Sequence, residues 1–105
     1  MNNNIYSHDE IKSYLEPVFQ QYGVKKAVLF GSYGKGNATE KSDIDLMVDS
    51  GLKGLNFVGL MEAVRVALGE KEIDMFDITH IEKGSLIERE IEQTGVEIYE
   101  ERCSC

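Results

Sequence analysis

Apolar residues recur along this chain at two periods, and the alternation between them sets out the elements. Ile11, Tyr14, Leu15, Val18, Phe19 and Tyr22 return at threes and fours, the spacing of one buried helical stripe. Ser7-His8-Asp9-Glu10 before them is a capping-box sequence and Gly23 a natural stop, so the first helix is expected from about 8 to 22. Pro17 should kink or restart it, and His8 at its start should be exposed. Lys25 to Phe30 reads as a strand. Leu55, Val58, Met61, Val64, Ala67 and Leu68 recur as a second long helix ending before Gly69, with those positions in the core. In Glu72 to Phe76, Ile73 and Met75 alternate with Glu72, Asp74 and Phe76, a third strand. Ile81 to Gln93 reads as a last helix with Leu86, Ile87 and Ile91 inward; Gly95 ends it before a short edge strand, Val96 to Tyr99.

The order helix, strand, turn, strand, helix, strand, helix, strand predicts an α/β (α+β) fold: a mixed sheet of about four strands flanked by helices. The short link from Phe30 to Asp43 suits antiparallel pairing of the first two strands. At 105 residues the chain is expected to form one domain, residues 1–105, with one core burying roughly 65% of its unfolded surface. That core should span about 5–99, with 100–105 as a flexible tail.

The chemistry concentrates in VLFGSYGKGNATEKSDIDLMV, Val28 to Val48. A strand breaks into a loop with glycines at Gly31, Gly34 and Gly36, then returns as a strand carrying Asp43 and Asp45. On a strand these two carboxylates would point the same way, about 6.6 Å apart, with Ile44, Leu46 and Val48 turned into the core. Two such aspartates are costly to bury unless a cation neutralises them, and magnesium accepts one or two carboxylates with water and phosphate oxygens completing its shell. Gly31 admits close backbone approach to a phosphate, Ser32 offers a hydroxyl, and the amides of a following helical turn would aim their dipole at an anion. If the third strand lies beside the second, Asp74 joins Asp43 and Asp45 across about 4.8 Å, while Asp77, out of phase, would face the other way or start a loop. Asp49 reads as a solvated turn residue. Lys35 and Lys41 are basic loop residues near the phosphate position, and Tyr33 could stack on a base or cover the loop.

Eleven basic against nineteen acidic side chains give a net charge of -8, which repels a polyanion and speaks against a DNA or RNA template. No apolar run approaches the 18 residues of a membrane span, and MNNNIYSHDE has no signal-peptide pattern, so a cytoplasmic location away from the membrane is expected. Cys103 and Cys105 lie in the last three residues, with no zinc-ligand spacing, and read as a thiol pair in the tail.

Gly31-Ser32, ten residues, then Asp43-x-Asp45, with Ile73-Asp74-Met75-Phe76 further on, resembles the signature of the DNA polymerase beta type nucleotidyltransferase superfamily. The short chain resembles its minimal nucleotidyltransferase (MNT) branch over roughly residues 5–99. Many relatives carry Ala-Arg where this chain has Gly34-Lys35, so the basic residue is kept and its phosphate contact stays open. The resemblance implies the palm-like nucleotidyltransferase fold and transfer of AMP from ATP to a hydroxyl with pyrophosphate leaving. It further implies two Mg2+ ions held by Asp43, Asp45 and Asp74 as the catalytic carboxylates, with Gly31 and Ser32 on the β and γ phosphates. It also implies a HEPN-domain partner, the chain being similar to antitoxins (MntA-like) that adenylylate a tyrosine of a HEPN toxin. The alternatives are a nucleotide-binding regulatory module without transfer, and a transferase acting on a small molecule such as an aminoglycoside, whose relatives carry an added substrate domain.

Overall fold

A computed structural model of the protein describes residues 5–39 and 42–101; Lys41, Cys103 and Cys105 lie outside them. Helix α1 runs His8–Tyr22, capped as expected: Ser7 Oγ accepts from the Glu10 amide, Glu10 accepts from the Ser7 amide, and Gly23 closes the helix at φ 69°. It passes unbroken through Pro17. The donor missing there belongs to an exposed turn, where water can satisfy the Ser13 carbonyl.

Strand β1 (Lys26–Phe30) leads directly into the short helix α2 (Gly31–Lys35), so the expected helical turn opens at the first glycine of the loop. Then follow β2 (Ile44–Asp49), α3 (Leu55–Ala67), β3 (Ile73–Asp77), a 3-10 turn (Ile78–His80), α4 (Leu86–Thr94) and β4 (Val96–Glu100). The sheet order is β3-β2-β1-β4. β1 pairs antiparallel with both β2 and β4, and β2 pairs parallel with β3, so the sheet is mixed and β4 is an edge.

One sheet face, carrying Leu29, Ile44, Leu46 and Val48, packs on Ile11, Leu15 and Phe19 of α1 and on Leu60, Val64 and Leu68. The opposite face carries Val28, Phe30 and Met47 against Phe76, Ile81, Ile87 and Ile91. Several expected core assignments are corrected, Tyr14 (47% exposed) among them. Leu55 (87% exposed) and Val58 (55%) point to solvent, and Leu60 is buried in their place. Nearly every position of α3 is apolar, so periodicity admits several phases. Packing against α1 selects the Leu60, Val64 and Leu68 stripe, from which Leu55 and Val58 lie about 140° and 200° away around the helix at Leu60. Leu86 is likewise outward, 82% exposed. The last helix does not begin at Ile81: Gly84 sits at φ 78°, Ser85 accepts from the Glu88 amide at 3.2 Å and Glu88 reaches back to the Gly84 amide. That cap starts α4 at Leu86, one residue off the inward Ile87–Ile91 stripe.

No described helix is long and apolar enough to cross a membrane.

Candidate active site

The candidate site lies where β1 ends and β2 and β3 begin, on the sheet face covered by α4. Phe30 is in register with Asp45, and Asp45 with Asp74. Parallel neighbours in register point to the same face about 4.8 Å apart, so two of the three predicted carboxylates stand side by side. Asp45 is half-buried and Asp74 exposed. Asp43 is not on the strand as expected: β2 begins at Ile44, whose amide bonds the Glu72 carbonyl at 3.1 Å, and Asp43 occupies the exposed approach. It still reaches Asp45 electrostatically.

Gly31 is a point of close approach. Its φ is 70°, and a Cβ there would collide with Asp45 Oδ2, so the loop backbone lies directly against the carboxylate. The Gly31 amide donates to Thr94 Oγ1 at 2.8 Å. That donor is therefore committed within the protein, and the donors open to a phosphate begin at Ser32, which is exposed. Gly36 closes α2 at φ 79°.

Asp45 carries the electrostatic mark of the site. Burial above the apolar Phe30–Met47 layer, followed by repulsion from Asp74, Asp43 and Glu90, pushes its pKa from 3.8 to about 6. The negative charge is in excess, and all its donors are hard oxygens, which suits a divalent cation whose shell is completed by water and phosphate. Among the described residues, no three histidine, cysteine or carboxylate side chains are gathered into a metal-holding set by themselves. A cation would find the adjacent Asp45–Asp74 pair first.

Other sequence candidates fall elsewhere. Asp77 is 1% exposed and accepts from Ser50 Oγ at 2.7 Å and Thr79 Oγ1 at 2.6 Å, with the amides of both residues adding two more bonds. Burial would raise its pKa, but those four donors outweigh it and hold it below the usual value. Asp77 thus locks the loop after β2 to the end of β3. Tyr33 covers the loop from within: it is 1% exposed, its hydroxyl has no hydrogen-bond partner among the described residues, and Lys71 Nζ stands 5.9 Å from its ring centroid. Lys35 is exposed in the last turn of α2. His8 corrects its expected exposure: it is half-buried, and Nε2 bonds the Tyr33 carbonyl.

Sequence reasoning missed the contribution of α4, which brings Glu90 and Thr94 to the site. A threonine just before a helix-ending glycine carries no signal of its own; only the fold sets it against Gly31.

Residues 10–103 match the family described as polymerase beta, nucleotidyltransferase. A relative from Methanocaldococcus jannaschii, named "Putative protein adenylyltransferase MJ0435", is 37% identical over 75 residues, covering 70% of this chain and 80% of its own. A crystal structure of a toxin-antitoxin with AMP-PNP superposes at a TM-score of 0.71 and 19% identity, over 87% of this chain and 74% of that one. A structure of a tri-AMPylated Shewanella oneidensis HEPN toxin in complex with MNT antitoxin matches at 0.66 and 16%, over 90% and 73%. At such identities these two show the fold.

Proposed function

The chain belongs to the polymerase beta nucleotidyltransferase family, and from that premise we propose that it transfers AMP from magnesium-bound ATP to a protein hydroxyl, a tyrosine of a HEPN-domain partner. The observation that carries this reading is the Asp45–Asp74 pair in register beside a glycine loop packed against Asp45. Asp45 and Asp74, with Asp43 at the approach, would hold the Mg2+ ions. Bound there, these ions would lower the pKa of the attacking hydroxyl and stabilise the leaving pyrophosphate. Asp74, on the outer strand of the two, is open to solvent and is the carboxylate an incoming hydroxyl can approach to give up its proton. Ser32 donates to the β and γ phosphates, and Gly31 sets its position.

The acceptor is assigned to a second protein, whose docking would hold the reacting atoms within roughly 3.5 Å, a large part of catalysis. The adenylyltransferase name of the archaeal relative and the HEPN partner of the structural neighbour support that choice. Co-expression with a HEPN protein encoded beside this chain, followed by intact-mass measurement, tests it. The partner should gain adenylyl mass only with the active chain. A stable complex without added mass would replace transfer by nucleotide-dependent binding.

A further inference from the structure

The last turn of α4 is tied to the nucleotide loop by more than packing. Thr94 is 7% exposed; its Oγ1 accepts from the Gly31 amide at 2.8 Å and donates to the Glu90 carbonyl at 2.6 Å. The donated bond fixes the hydroxyl's rotor, so its lone pair is held toward Gly31. The backbones meet as well: a Cβ on Gly34 would collide with the Thr94 carbonyl. Gly31 in turn lies against Asp45 Oδ2. An unbroken chain of contacts therefore runs from α4 through Thr94 and Gly31 to the carboxylate.

We propose that Thr94 is a positioning residue of the nucleotide loop: by taking the Gly31 amide it fixes the distance between the Ser32 donors and Asp45, and it leaves Gly31 no donor for phosphate. Thr94 touches neither phosphate nor acceptor. Its loss keeps the Ser32 donors but lets the loop that carries them drift relative to Asp45, an error that penalises the transition state more than nucleotide binding.

The kinetic arm rests on the nucleotidyl-transfer reading and compares Thr94→Val, which keeps the shape and loses both hydroxyl bonds, with Thr94→Ser, which keeps them. Val64→Ala, in the core on the opposite sheet face, serves as a control for general destabilisation. Thr94→Val should lower kcat about tenfold or more while KM for ATP stays within about threefold, and Thr94→Ser should recover most of the loss. A Thr94→Val enzyme that loses no more turnover than Val64→Ala, or a Thr94→Ser enzyme as impaired as Thr94→Val, overturns the assignment.

Amide hydrogen exchange on the wild-type chain needs neither a variant nor turnover. The Gly31 amide should be protected with and without Mg-ATP, while the Ser32 amide gains protection only with it. A Gly31 amide that exchanges freely in the unliganded protein refutes the positioning role. If the wild type transfers nothing to any partner, the nucleotidyl-transfer reading fails and this exchange result alone decides for or against Thr94.

Discussion

Gly31 and Gly36 share a positive φ, 70° and 79°, but only Gly31 faces Asp45; among the described residues nothing lies within 4 Å of a Cβ on Gly36. Alanine at either position costs about 1 kcal/mol or more for the left-handed conformation. Gly31→Ala must also push the loop off the carboxylate. Both variants should therefore melt lower than wild type, but Gly31→Ala should lose transfer by about a hundredfold or more, while Gly36→Ala stays close to wild type. Parallel thermal melts and rate assays check the contrast. Asp45 supplies a second prediction. Its pKa is near 3.8 unfolded and about 6 folded, so between those values the folded state binds more protons. Asp45's own contribution to the stability of the unliganded protein therefore falls as pH rises from about 4 to about 6 and stays lower above that. Asp45→Asn, which cannot ionise, should melt above wild type at neutral pH and match it near pH 4. An unchanged difference across that range would mean the site is not strained by charge.

Elements were legible where a local signal was unique and lost where it was degenerate. The Ser7–Glu10 box and Gly23 gave α1 both its ends, and the alternation in Ile73-Asp74-Met75 gave β3 and its Asp74. For α3, with apolar side chains on all sides, the buried stripe depends on α1, which no local period reveals. For α4 the signal was present: Ser85 and Glu88 repeat the capping spacing of Ser7 and Glu10 and fix the true start at Leu86. The apolar Ile81 drew the expected helix too far back, although it packs under the sheet from a loop. Ser85→Ala, which removes that cap, should cost about 1 kcal/mol, read as a lower midpoint in chemical denaturation. It should also reduce transfer, because α4 carries Thr94. The register of Asp45 with Asp74 was readable from strand alternation, whereas Asp43, expected on β2, lies just before it. The α4 side of the site was not readable, because Thr94 and Glu90 act through tertiary contact rather than through a motif.

At the scale of the molecule, a mixed sheet separates two jobs. The face under α1 and α3 holds the larger core, while the face under α4 keeps a small apolar layer and gives its margin to carboxylates. With a net charge of -8 the protein repels free ATP, and in the proposed reaction a divalent cation accompanies the nucleotide. The central claim, that this site moves a nucleoside monophosphate, is tested most directly by following two labels. ATP labelled at the α phosphate and ATP labelled at the γ phosphate are each incubated with the chain, a HEPN partner and magnesium. The α label should become attached to the acceptor, the γ label should leave as pyrophosphate, and both outcomes should vanish with a chelator or in Asp45→Asn. Attachment of the γ label, or attachment of the α label undiminished in Asp45→Asn, would contradict the account.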